Sequence, residues 1–247
     1  MGLFDMFSNK PTPKKIDKLT KRMLNEHQQQ QVRQEAISEL VSYGTPLAIS
    51  ALVKRLGTNF RDTIKNEADK RQVAEILVDH FNADAIIPML DFIRTEQNIS
   101  AVIMTLGKII TPERLVEELI RILEGYSPTD HSTMNARLQL VDALADHDDP
   151  RVVPAVLPYL ADHDDDIRVK VMGVVDDRID PKNDDLDAVV DGLMKVLTDP
   201  LASGRIVRRA ATVLANLKVD LSMRKAEFVE LLPDGVELAK NGRLSVR

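Results

Sequence analysis

The sequence predicts an all-α protein: a right-handed α-α superhelical solenoid of about six helical hairpins with an N-terminal capping helix. Three observations lead there. Apolar residues recur at helical spacing along most of the chain, and turn residues interrupt them at near-regular intervals, 28 residues from Ala83 to Thr111 and 38 from Thr111 to Asp149. The apolar residues are mostly Leu, Val, Ile, Ala and Met, with no Trp and only nine Phe and Tyr together, a set suited to interdigitation between helices. With 10 Gly in 247 residues and little period-2 alternation, strands and tight β-turns should be scarce.

Residues 14–29 read as a charged capping helix carrying Ile16, Leu19 and Met23, preceded by a flexible segment over 1–13. Six hairpins follow within a single domain over 14–247. Ala36, Ile37, Leu40 and Val41 lead through Gly44-Thr45-Pro46 to Ile49, Leu52, Val53 and Leu56. Val73, Ile76, Leu77 and Phe81 lead through Asn82-Ala83-Asp84 to Ile86, Ile87, Leu90 and Ile93. Val102, Ile103, Leu106 and Ile110 lead through Thr111-Pro112 to Leu115, Val116, Leu119 and Leu123.

The fourth hairpin is the clearest. Leu140, Val141, Leu144 and Ala145 form one stripe, and Val152, Val153, Val156, Leu157 and Leu160 the next. Between them Asp149-Pro150 supplies a capping carboxylate and a Pro at the first helical position, where its missing N–H costs nothing. The fifth runs from Ile167–Val175, across an insertion at Arg178–Asp184, to Leu186–Leu197. In the sixth, Ile206–Leu217 should be followed by a helix over 222–240, bent or broken at Pro233. Each hairpin leaves an apolar stripe that only a stacked neighbour buries.

These residues resemble the short HEAT-like repeat of phycobilin-lyase-type repeat proteins. The match is densest at Asp149-Pro150-Arg151-Val152-Val153-Pro154 and Leu160-Ala161-Asp162, and the Val-Arg start is echoed at Val32-Arg33, Ile167-Arg168 and Val207-Arg208. It is strong over 135–175 and weaker over 30–125 and 185–232. The resemblance implies a superhelical binding surface. Arg208 is expected to have a structural role, pairing with an inter-repeat acid such as Asp199, as Arg168 would with Asp162.

The charge total is −6, but its distribution is more informative. Residues 1–75 carry 13 cations against 9 acids, residues 140–200 carry 6 against 16, all Asp, and residues 201–247 carry 9 against 5. An acidic belt should therefore lie between two basic ends. The expected function is a non-catalytic scaffold or adaptor for a protein partner with a basic patch, engaged through Asp164, Asp165, Asp166, Asp176 and Asp177.

Asp146-His-Asp-Asp149 and Asp162-His-Asp-Asp-Asp166 could suggest a metal, but they fall in helix-start turns, where Asp caps free N–H groups. As a calcium loop the second places Ile167 where Gly is needed and Gly173 where Glu is needed. The five His never form His-Glu, the pair from which HEAT-like di-iron hydroxylases build their metal site. There is no Cys, no HExxH and no phosphate-cradling Gly loop. No catalytic, metal or cofactor residue is therefore expected, nor any cofactor.

The alternative partner is nucleic acid, as for HEAT-like alkylpurine glycosylases, with Arg205, Arg209, Arg224 and Lys225 on phosphates; the acidic belt opposes it. A bilin-lyase-like role is a further alternative. No apolar run of membrane-spanning length exists, Met1–Phe7 lacks a basic leader, and Met6 stands where a myristoylation signal has Ser or Thr. The expected location is cytoplasmic. Leu3, Phe4, Met6 and Phe7 could touch a partner groove or a membrane surface.

Overall fold

The structure, a computed structural model, describes residues 11–179 and 186–246. The expectations for Leu3–Phe7, for most of the segment 1–13 and for most of the insertion at Arg178–Asp184 lie outside the described residues. The chain forms two compact units, residues 1–118 and 119–247.

In the first unit, α1 (Pro13–Leu24) buries Ile16, Leu19 and Met23 against α2 (Gln30–Tyr43) and α3 (Pro46–Gly57). The α2–α3 turn is set by Gly44, whose φ of +57° favours a residue without a Cβ, and by Thr45, whose hydroxyl accepts from Ala48 N–H at 3.3 Å. The second hairpin begins with α4 (Thr63–Glu75), continues through a π-helical turn over Ile76–Phe81, reverses at Asn82 (φ +46°) and returns as α5 (Ala83–Thr95). Next comes α6 (Ser100–Leu106), and α7 (Pro112–Glu124) begins in this unit and ends in the second.

Two arginines are wholly buried in this unit. Arg33 Nε donates to Asp69 at 2.9 Å and Arg33 Nη1 to the Gln28 carbonyl at 2.6 Å. Arg55 lies 3.7 Å from the same carboxylate and 3.8 Å over the Phe60 ring, and it donates to Thr58 and Asn66. One carboxylate thus serves two guanidinium groups, with an aromatic face sharing the charge.

The second unit repeats the plan. Here α8 (Met134–Ala145) pairs with α9 (Val152–Val156), which tightens into a 3-10 turn over Leu157–Ala161. The helix starts two residues after Pro150. Asp149 forms a turn with Arg151, accepting from its N–H at 2.9 Å, and does not cap the helix directly. Next, α10 (Asp165–Arg178) pairs with α11 (Asp187–Leu197), followed by α12 (Gly204–Leu217). The core runs through Leu140, Leu144, Val156, Ile167, Val171, Leu193, Ala211 and Leu214.

The ending differs from the expected helix over 222–240. The short α13 (Lys225–Phe228) lies between two 3-10 turns and anchors Phe228. Past Pro233 the chain makes an antiparallel ribbon, β1 (Val236–Leu238) with β2 (Leu244–Val246), pairing Val236 with Val246 and Leu238 with Leu244. The hairpin is closed by Gly242 (φ +76°). A Cβ there would stand 1.9 Å from Asp220 Oδ1. Each unit is thus an all-α stack of helical hairpins of the solenoid type, with the ribbon as the departure.

Candidate functional site

The repeat arginines organise the second unit. Arg137, on α8, is fully buried and grips Asp162 with two bonds, Nε to Oδ2 at 2.8 Å and Nη2 to Oδ1 at 3.0 Å. It also donates backward to the carbonyls of Pro128 and Asp130. Arg168, on α10, donates backward to the Leu160 carbonyl at 3.1 Å and lies 3.5 Å from Asp199. Arg208 donates to the Asp234 carbonyl at 2.6 Å.

The pairing expected from the sequence is therefore corrected by one repeat. Each arginine reaches the acid or carbonyl after its own hairpin, not the acid before it. Both oxygens of Asp162 are already occupied by Arg137, and Oδ1 also accepts from Asp164 N–H at 2.9 Å, which leaves Arg168 to Asp199.

The acids of the belt mostly face the next helix. Asp164 caps α10, accepting from the N–H groups of Asp166 and Ile167. Asp165 accepts from Ser203 Oγ at 2.7 Å, and Asp166 meets Arg205 at 2.6 Å. Asp176 holds Arg209 at 3.1 Å and Asn216 at 2.9 Å, whereas Asp177 is exposed. The residues considered for phosphate contact are engaged by the same pairs: Arg205 and Arg209 as above, and Arg224 with Asp191 (2.6 Å) and Glu227 (3.1 Å); Lys225 is exposed. The belt and its cations largely neutralise one another between α10 and α12.

Beside this ladder, the second helices of the fourth and fifth hairpins enclose an open groove of about 600 Å³. Pro154, Leu157, Pro158 and Ala161 form one wall, and Ala188 and Val196 the other. Gly192 allows the close approach, since a Cβ there would meet Leu160 Cδ1 at 2.9 Å. Pro158 cannot donate to the Pro154 carbonyl, and the chain tightens from α to 3-10 at this point. Arg168 with Asp199 closes one end, and Asp191 stands on the rim held by Arg224. Lys195, also on the rim, is exposed and has no ion pair among the described residues.

No groove residue is expected from the sequence to bind a partner: Pro154, Leu157, Leu160 and Ala161 read there as repeat residues, and Arg168 and Asp199 as ion-pairing ones. The signal present was a run of small or ring-closed residues, Pro154, Pro158, Ala161 and Ala188, at exposed positions of helices whose other faces are aliphatic.

The rings of His131 and His163 lie with centroids 3.8 Å apart at an interplanar angle of 60°, and His163 Nδ1 is 2.9 Å from the Pro128 carbonyl. Among the described residues, no three His, Cys, Asp or Glu side chains converge as metal ligands. No helix among them is long and apolar enough to cross a membrane.

Stacked helical hairpins tied by buried arginines define the class, an all-α helical-repeat protein of the solenoid type. No protein-family model matches the sequence, and no curated protein matches it significantly. Among solved structures the chain is similar to human deoxyhypusine hydroxylase in complex with glycerol, at 16% identity and a TM-score of 0.33, over 93% of this chain and 94% of that one. That protein is an enzyme. The expectation of a non-catalytic scaffold, and with it the exclusion of enzyme activity, is accordingly withdrawn. It rested on absent motifs, and a helical-repeat architecture gives no ground for excluding catalysis. At that TM-score the likeness carries no activity over to this chain.

Proposed function

We propose that this chain binds a protein partner, taking an apolar peptide segment that carries an acidic residue into the groove between the second helices of the fourth and fifth hairpins. The observation that carries this reading is the combination of apolar walls with Lys195 on the rim. The volume falls in the range of sites that enclose a ligand, roughly 300–1,000 Å³. Pro154, Leu157, Pro158 and Ala188 offer area that water leaves favourably, and Lys195 supplies one directional charge. With Arg168 matched to Asp199 and Asp191 to Arg224, the groove's remaining charge is positive. A basic partner is not what it fits.

Three finer readings belong to the same proposal: action of residues 14–247 as one domain, a cytoplasmic location, and assignment of the repeat to the phycobilin-lyase type. The last is supported by Asp149-Pro150 and Leu160-Ala161-Asp162.

Panning a displayed peptide library on the purified chain tests the proposal. Selected peptides should pair apolar residues with an acid, and Ala188→Arg or Lys195→Glu should each weaken them by roughly tenfold or more. An unselective library, or peptides that bind both variants as well as the parent, would sink it.

A further inference from the structure

Arg137 and Arg168 hold the same place in successive hairpins, each the fourth residue of its helix, but they are not equally satisfied. Arg137 grips Asp162 with two bonds of 2.8 and 3.0 Å. Arg168 is 8% exposed and commits Nε to the Leu160 carbonyl at 3.1 Å. Its Nη2 stands 3.5 Å from Asp199, at the outer limit of a hydrogen bond. Its Nη1 stands 3.8 Å from Asp165 and makes no hydrogen bond among the described residues. Unlike Arg33 Nη2 and Arg55 Nε, that nitrogen is not sealed from solvent. Half of a guanidinium fork is left unused.

This fork stands at the closed end of the groove between the second helices of the fourth and fifth hairpins. Two more charges line the groove toward that end, Lys195 in the last turn of α11 and Asp199 two residues past the helix. Two cations therefore face one acid there, a surplus of a single positive charge. Asp165 lies outside the lining and accepts from Ser203 Oγ at 2.7 Å. Asp191, on the rim, is held by Arg224 at 2.6 Å.

We infer that the occupant of this groove is the carboxy-terminal end of a protein partner, its α-carboxylate between Arg168 and Lys195. The inference rests on the peptide-binding reading of the groove. The preceding apolar side chains lie on Pro154, Leu157 and Ala188. A planar carboxylate matches a guanidinium fork, and its one negative charge equals the surplus. A phosphate dianion would bring a second charge against Asp199. A chain lying along the apolar walls meets the Arg168–Asp199 pair and has to stop there, so the acid that reaches Arg168 is the terminal one.

Panning two random peptide libraries on the full chain tests this, one displayed with free carboxy termini and one tethered through them. The free-ended library should enrich peptides with apolar residues at their last positions. An enriched peptide, resynthesised and titrated by fluorescence anisotropy, should lose roughly tenfold or more in affinity when its terminus is amidated or extended by two glycines. Lys195→Gln, at an exposed position, should weaken the acid and narrow its gap from the amide. Arg168→Lys should narrow it too, with circular dichroism confirming that the helices persist. Amidated or extended peptides that bind as tightly as the acid, equal enrichment from the tethered library, or a gap unchanged in Lys195→Gln overturns the inference and leaves the peptide groove standing. No enrichment from either library, or peptides indifferent to Ala188→Arg, overturns both.

Discussion

Asp69 and Asp162 are the carboxylates whose loss the fold should feel most. Each is buried against guanidinium groups that have no water to fall back on, Arg33 and Arg55 for Asp69 and Arg137 for Asp162. Removing one partner strands a buried charge, so Asp69→Asn and Asp162→Asn should each cost about 3–5 kcal/mol in chemical denaturation. Tyr159 is a milder case. Its hydroxyl donates to the carbonyls of Leu123 and Tyr126, and Tyr159→Phe should cost about 1–3 kcal/mol by leaving them unsatisfied. Burial pushes the same phenol up to about 12 from its ordinary 10.0, so its contribution is complete below pH 10 and is lost as pH rises toward 12. Asp149 behaves in the opposite sense. The Arg151 side chain and then the Arg151 N–H hold its carboxyl at about 2, below the ordinary 3.8. Its contribution is present above pH 3.8 and lost as pH falls toward 2. Melting temperatures of Asp149→Asn should therefore lie below those of the parent at neutral pH and converge with them in acid.

Among the elements, those whose ends carry strong local chemistry were legible in the sequence. Gly44-Thr45-Pro46 predicted a turn, a cap and a helix start, and α3 begins at Pro46 with Thr45 capping Ala48 N–H. Thr45→Ala should cost about 1 kcal/mol, measured by thermal melting. The stretch past Pro233 was misread, although the signal was there. Asn241-Gly242 is a hairpin turn pair, flanked by the alternating Val236-Glu237-Leu238 and Leu244-Ser245-Val246. Helical periodicity elsewhere in the chain outweighed two three-residue strands, which are too short to show a period. Gly242→Ala should unseat the ribbon at a cost of about 1–3 kcal/mol, visible as faster amide exchange at Leu221, whose N–H donates to the Gly242 carbonyl at 2.7 Å. The candidate groove was illegible for a different reason. A groove is a relation between two helices some thirty residues apart, and nothing in Pro154 or Ala188 alone says that they face each other.

At the scale of the whole chain, the uneven charge predicted from sequence is real, but much of it is consumed internally. Lys170 with Asp142, Arg178 with Asp148, Arg205 with Asp166 and Arg209 with Asp176 all tie one hairpin to the next. These pairs are at least partly exposed, so salt should screen them. Urea denaturation should show modestly lower stability at high than at low ionic strength. The sequence supplied the residue types for these pairs but not their register, because a hairpin returns the chain to the edge it left and sets two acids near every arginine. The register has a consequence for how such a chain can be edited. Arg137 reaches Asp162 and Arg168 reaches Asp199, so a cut after Asp162 and before Arg168 severs neither of these two pairs. The interval from His163 through Asp199 is thus a cassette with its own clasp. Deleting it should leave Arg137 its Asp162, at the cost of the partly exposed pairs that Arg205, Arg209 and Arg224 make with Asp166, Asp176 and Asp191, whereas a cut placed between Arg168 and Asp199 would part that pair.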